Sequence, residues 1–307
     1  MQKIKIFTPA TIANVSCGFD VLGLCLDTIG DEMIIRKTSK KGVIISKIVG
    51  QILPLDVAKN VAGVAALALL KNIDTSFGFD IEIYKNIKPG SGIGSSAASA
   101  AGAVFGINKL LGEPFSLQEL IPFAMEGEKL VSGVAHADNV APALLGGFTL
   151  VKSYHPLEIL KLPTPTELYA TVIHPQIEIK TSDARNVVKQ TISLDKTIVQ
   201  MGNIGGLISG LYTENYDLIG RSLHDEIAEP YRSHLIPEFN NIKKAALKIG
   251  ALGSGISGSG PSIFALSKGK QTAENVAQAM KEVYRNTKID FEIHVSKINR
   301  DGIKIIA

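Results

Sequence analysis

The residues best placed to do chemistry lie in one run, Lys88-Pro-Gly-Ser-Gly-Ile-Gly-Ser-Ser-Ala-Ala-Ser99. Gly90, Gly92 and Gly94 can take positive φ and let a ligand approach the backbone closely. An alanine-rich helix is expected from Ala97 to Leu111, with Ser95 or Ser96 placed to cap it and Gly112 and Pro114 to close it. The exposed N–H groups and dipole of such a helix start attract an anion, so the chemistry implied is phosphate binding. Two commoner glycine motifs do not fit. A Walker A loop needs a lysine directly after its last glycine, and none follows here. The dinucleotide fingerprint spaces its third glycine differently and wants an acidic residue about twenty positions on, after a second strand. Here Glu113 merely follows the helix-ending Gly112.

The elements that position this loop can be read from periodicity. Phe77, Phe79, Ile81 and Ile83 alternate with Asp80 and Glu82, as in a half-buried strand, so the order is strand, turn, helix. Further strands are expected at Ile4 to Phe7, Met33 to Lys37 and Val43 to Val49, and a buried helix from Ala58 to Leu70. Ser116 and Glu119 form a capping box that opens a helix over 115–130, which carries Glu126 and Glu128. A strand at Gly147 to Lys152 closes the first half. Pro156, Pro163 and Pro165 then mark a passage between a first domain, 1–165, and a second, 166–307. The second half reads as strands at Tyr169 to His174, Ser262 to Leu266 and Phe291 to Lys297, with helices near 184–192, 200–211, 238–250 and 272–284. That pattern predicts an α+β domain with an antiparallel sheet.

Composition narrows the class. The 307 residues are 45% hydrophobic and 20% charged, with a formal net charge of +3 and scattered lysines, which suits a globular enzyme and gives no footprint for nucleic acid. Cys17 and Cys25 have no CxxC spacing and read as buried free thiols. The longest apolar run, Val61 to Leu70, is too short to cross a bilayer, and the first residues lack a signal-peptide core, so no membrane partner and a cytoplasmic location are expected.

Three segments, taken in order, carry more than the loop alone. They are Thr8-Pro-Ala-Thr-Ile-Ala-Asn-Val-Ser-Cys-Gly-Phe-Asp-Val-Leu-Gly23, the loop itself, and Gly253-Ser-Gly-Ile-Ser-Gly-Ser-Gly-Pro261. Their order and wording resemble the GHMP kinases across essentially the whole chain. The first segment, together with Val134-Ala-His-Ala-Asp-Asn-Val140, is most similar to the branch that phosphorylates the side-chain hydroxyl of L-homoserine on the way to threonine. The resemblance implies a two-domain α+β fold: an N-terminal domain with a left-handed crossover, and a ferredoxin-like C-terminal domain. It also implies ATP and Mg2+, an active site between the domains, and a homodimer.

Residue by residue, the resemblance implies a nucleotide cradle of Lys88, Pro89, Gly90, Ser91, Gly92, Ile93, Gly94, Ser95, Ser96, Ala97 and Ala98, with Asn60 at the adenine, a residue that by type and position reads equally as the start of a helix. It makes Ser96 and Glu128 the magnesium ligands, hard oxygens of the kind that ion requires. Arg185 and Arg232 are implied for the substrate carboxylate, which a planar guanidinium can grip through both oxygens. Asn14, Asp20, His136 and Asp138 are implied for the ammonium and hydroxyl; Asn14 orients the hydroxyl, and Asp138 binds substrate rather than acting as a general base. Asn14, Ser96 and Glu128 are therefore the expected catalytic set. Another GHMP acceptor, such as shikimate, a sugar or a mevalonate derivative, is the alternative.

Overall fold

Alternating apolar residues build two sheets, and one cavity is lined by loops and helix starts that belong to both halves. The structure, a computed structural model, describes residues 1–179 and 181–307. In the first sheet, β1 (Lys3–Ala13) pairs antiparallel with β2 (Leu22–Thr38), with a bulge between Pro9 and Thr11. Besides β1, the long β2 serves two further partners: its second half pairs with β4 (Gly78–Tyr84), its first residues with β5 (Phe148–Tyr154). β3 (Gly42–Val49) runs parallel to β4, connected through α1 (Val61–Leu70). β6 (Leu157–Leu162) forms a hairpin with β5, and β11 (Lys304–Ile305) returns from the chain's end to the outer edge of β1.

One face of this sheet presents Ile4, Ile6, Met33, Ile35, Phe79, Ile81 and Ile83 to a layer of helices, all essentially without exposure. Burying each such side chain contributes about 1.5–3 kcal/mol. Glycine and alanine let α2 (Ser95–Leu111) lie very close: a Cβ on Gly102 would meet Met33 Sδ at 2.4 Å, and one on Gly106 would meet Ile35 Cδ1 at 2.3 Å. The helix α3 (Leu117–Ser132) crosses α1 at Gly127, where a Cβ would lie 2.5 Å from the Val61 carbonyl oxygen. That close crossing sets the next residue, Glu128, against the start of α2.

The second sheet has the order β10-β7-β9-β8, antiparallel throughout, from β7 (Leu168–Pro175), β8 (Gly253–Ile256), β9 (Ile263–Lys268) and β10 (Phe291–Lys297). Helices lie between β7 and β8, and α10 (Lys270–Arg285) between β9 and β10, which is the ferredoxin-like arrangement.

Several boundaries differ from the sequence reading. The serines do not cap α2: its N-cap is Gly94 at φ 70°, with no side-chain capping bond, and Ser95 and Ser96 are its first helical residues. The proline stretch contains strand β6, with Pro156 in the hairpin turn; a hairpin needs its ladder bonds only between β5 and β6, so the flanking prolines do not interrupt it. The helix expected over 184–192 ends at Asn186, because Ser193 instead caps a longer one, Leu194–Thr213. The glycine-rich β8 was hidden by its composition. The Ser116–Glu119 capping box is present as read.

Candidate active site

A cavity of about 270 Å3 is lined from the loop by Pro89, Gly90, Gly92, Gly94, Ser95 and Ser96, and from elsewhere by Asn14, Asp20, Lys85, Glu128, His136, Asp138, Arg185 and Arg232. Its phosphate-suited end is built of backbone. Thr11 N–H donates to the Ile93 carbonyl (3.2 Å), the Ser257 hydroxyl to that of Gly92 (2.7 Å), and Ser262 N–H to that of Ser91 (3.2 Å). The first and third glycine-bearing segments thus clamp the loop through its carbonyl oxygens, and do not consume the N–H groups an anion needs. Gly92, at φ 82°, is packed so that a Cβ would lie 2.6 Å from the Gly260 oxygen; Gly90, at φ 75°, lines the cavity and a Cβ there would meet nothing. With no side-chain cap on α2, its first-turn donors remain for a ligand.

Beneath the loop lies a buried cation, supplied from before the glycines and not from the position after them. Lys85 Nζ pairs with Asp31 Oδ2, the two side chains at most 1% exposed, and donates to the Ser95 carbonyl (2.8 Å) and the Ser99 hydroxyl (3.1 Å). Asp31 in turn accepts from the N–H groups of Asn86 and Ile87, each at 2.8 Å. Burial pulls the Lys85 ammonium below its usual pKa despite the pull of Asp31 and Glu128 in the other direction. The signal was available: the alternation Phe79, Ile81, Ile83, carried one step further, points Lys85 to the core side.

Glu128 is hydrogen-bonded by Ser96, and burial pushes its carboxyl up to about 7, offset by that bond and by Lys85. A buried carboxylate held this high gains from a nearby cation. A hydroxyl and a carboxylate at a helix start suited to phosphate also fit Mg2+, which keeps several waters and needs few protein ligands.

The acceptor end is built of side chains. The turn after β1 coils tightly, with Asn14, Val15, Ser16 and Asp20 at φ 69°, 44°, 58° and 59°. Such conformations cost of order 1–3 kcal/mol each, most for a β-branched residue such as Val15. The coil is held by Asn14, whose Oδ1 accepts from Asp20 N–H (3.0 Å) while Nδ2 donates to the Gly258 carbonyl (2.9 Å). Arg185, from α5 (Thr181–Asn186), donates through Nη2 to both Asp20 oxygens (3.1 Å each) and contacts His136 Nε2 (2.9 Å). Arg232 is buried; it donates from Nε to Ala184 (2.8 Å) and from Nη1 to Gly258 (3.0 Å), and lies over the Phe19 ring. Burial pushes Asp138 up to about 7, helped by Asp20 and Glu128 and opposed by its backbone bond and Arg185. Burial also lowers the pKa of His136, with Asp20 pulling against it and Arg185 with it.

Asn14, Asp20, Ser96, Glu128, His136, Asp138, Arg185 and Arg232 are thus brought together around one space. Five of the expected cradle residues lie outside its lining. Ile93, Ala97 and Ala98 are core, Ser91 is buried behind the loop, and Lys88 points away to Gln176 Oε1 (2.9 Å). Asn60 also lies outside the lining: its Oδ1 caps α1 at Ala62 N–H (3.0 Å) and its amide donates to the Pro54 carbonyl (2.8 Å). Residues the sequence reading did not single out complete the wall: Lys85, the apolar Leu53, Val61 and Val131, and Asn139, which accepts from Thr11 Oγ1 at 2.7 Å.

Comparison with known proteins gives the family. Residues 59–147 match the GHMP kinases N terminal domain and residues 207–286 the GHMP kinases C terminal domain. Over its full length the chain is 46% identical to all of a homoserine kinase of Chloroherpeton thalassium, and 47% identical to all of one from Chlorobium phaeobacteroides. The crystal structure of a homoserine kinase from Cytophaga hutchinsonii superposes with a TM-score of 0.96 at 51% identity, covering 100% of this chain and 98% of that one. At 16% identity, a mevalonate kinase from L. major shares the fold alone, with a TM-score of 0.71 over 96% of each chain. With both domain matches on one two-domain α+β fold, the chain belongs to the GHMP kinase family. Within that family, its full-length relatives put it with the homoserine kinases.

Proposed function

We infer that the protein transfers the γ-phosphoryl group of ATP to the side-chain hydroxyl of L-homoserine, giving O-phospho-L-homoserine and ADP for threonine synthesis. The observation that carries this reading is the single cavity with a backbone phosphate cradle at one end and, at the other, matched cations and anions suited to an amino acid. Phosphoryl transfer asks a protein mainly to position two reactants and to stabilise charge on the transferring oxygens. The N–H groups around Gly90 to Ser96 and the start of α2 serve the phosphates, and Leu53, Val61 and Val131 give an apolar wall for a flat base. Ser96 and Glu128 would hold Mg2+, which when bound supplies positive charge to the phosphates.

Arg185 and Arg232 take the substrate carboxylate, Asp20 with His136 the ammonium, and Asn14 with Asp138 the hydroxyl. A carboxyl near 7, as Asp138 has, also suits a general base, and one variant separates the roles. If Asp138→Asn lowers kcat about a thousandfold while homoserine binding survives, Asp138 is a base; a rise in KM with modest loss of kcat assigns it to binding. A division near residue 165, a homodimer and a cytoplasmic location complete the reading. No helix among the described residues is long and apolar enough to cross a membrane. The deciding experiment is coupled detection of ADP with ATP, magnesium and homoserine, alongside shikimate, mevalonate and sugars. Turnover of one of those instead of homoserine would refute the assignment.

A further inference from the structure

Asp20 and Arg185 stand opposite each other, and each carries the charge that the other's ligand group would carry. Both line the cavity and are partly open to it, with side chains 28% and 36% exposed. Asp20 is fixed through its backbone, its N–H on Asn14 Oδ1 and its carbonyl accepting from the Tyr154 hydroxyl at 3.1 Å, while its carboxylate meets Arg185 Nη2 through both oxygens. Arg232 is different. Its Nε and Nη1 are bound to the backbone carbonyls of Ala184 and Gly258, so it meets a carboxylate without giving up an ion pair.

We propose that the Asp20–Arg185 pair is an exchangeable latch, occupying in the empty site the places of the substrate's ammonium and carboxylate, and that this exchange makes the enzyme select zwitterions. The proposal rests on the homoserine reading above. A ligand with both charges replaces both partners and leaves nothing unpaired. A ligand with a carboxylate alone takes Arg185 but strands Asp20 beside a second anion; one with an ammonium alone strands Arg185. Leaving a half-buried charge without its partner costs more than the lost contact, so half-ligands are rejected beyond the sum of what they lack.

Removing one side of the latch should therefore favour the matching half-ligand. The probes are L-homoserine, 4-hydroxybutyrate, which lacks the ammonium, and 3-aminopropan-1-ol, which lacks the carboxylate. Their affinities for the full-length protein with magnesium and a non-hydrolysable ATP analogue are measured by ligand-observed NMR titration, which does not depend on turnover. In Asp20→Asn, homoserine binding weakens about tenfold or more while 4-hydroxybutyrate binds about threefold tighter than to the wild type. In Arg185→Gln, homoserine again weakens while 3-aminopropan-1-ol tightens. Asp20→Ser repeats the first arm, and unchanged affinity for the nucleotide analogue shows that each variant is folded. A merely structural role would weaken all three ligands together, and that result, or no change in the half-ligands, overturns the latch. Wild-type protein that fails to phosphorylate homoserine refutes the substrate reading instead; phosphorylation without the crossed affinities refutes the latch alone.

Discussion

The two ends of the cavity are made by different means. The phosphate end uses main-chain groups, three glycines with positive φ and one ion pair buried beneath them, so its shape is set before any ligand arrives. The acceptor end uses side chains from segments distant in the chain, and its charges meet one another: Asp20 with Arg185, and Arg185 with His136. A rigid backbone cradle can serve any nucleoside triphosphate. A set of side chains that must be re-paired can discriminate among acceptors.

If the phosphate end owes its rigidity to the buried pair, Lys85→Met should be the most damaging change. It leaves the Asp31 carboxylate buried without its cation, at a cost of about 3–5 kcal/mol, read as a fall in unfolding free energy by chemical denaturation. The double variant Lys85→Met with Asp31→Leu should recover much of that loss, and an equally unstable double variant would deny the pair this role.

At the acceptor end the buried carboxyls should oppose stability in the empty protein. Asp138 is raised from 3.8 to about 7, so the folded chain keeps a proton that the unfolded chain has released. Between those values stability falls as pH rises, by an amount on the order of 4 kcal/mol for this group. Denaturation curves from pH 4 to 7.5 should show the fall, and Asp138→Asn, which mimics the protonated form, should remove that part of it and be the more stable protein at pH 7.5.

Within the loop, Gly92 and Gly90 should part company. Gly92→Ala drives a Cβ into the Gly260 and Ser257 carbonyl oxygens and should cost about 1–3 kcal/mol of stability. Gly90→Ala meets no protein atom, so it should cost only the roughly 1–2 kcal/mol of a left-handed alanine, without the added clash, yet raise the KM for ATP. Equal effects on melting temperature and on ATP affinity would erase the distinction between a packed and a ligand-facing glycine.

The smallest effect is expected at Arg232→Lys. It keeps the charge but loses the fork that reaches Ala184, Gly258 and a carboxylate together, so the KM for homoserine should rise about tenfold with the KM for ATP unchanged.

How much of this was legible follows the same division. The strand before the loop, the helix after it and the capping box at Ser116 depend on neighbours a few residues apart, and periodicity found them. Short strands escaped when their composition argued otherwise. β8 is half glycine because Gly255 passes close to Ser16, where a Cβ would lie 2.4 Å from its hydroxyl oxygen, and β11 has only two residues, held by β1. Ser95 and Ser96 suggested a cap, but Gly94 in the left-handed region starts the helix. That frees Ser95 to bond the Ile87 carbonyl (2.9 Å) and Ser96 to meet Glu128.

By itself the sequence determined the glycine turn between a strand and a helix, the class of chemistry and, through the wording of three separated segments, the family, because each of these is written in residues adjacent along the chain. Only the tertiary structure decided which of those residues face the cavity, that Lys85 lies buried under the loop, that Asn60 serves as a cap, and that Asp20 and Arg185 hold one another. Those facts depend on which side of a strand or helix meets which partner across gaps such as the 165 positions between Asp20 and Arg185, and on the burial that sets the pKa values of Glu128 and Asp138. Neither spacing nor composition encodes such contacts locally; packing two sheets and their helices around one space creates them.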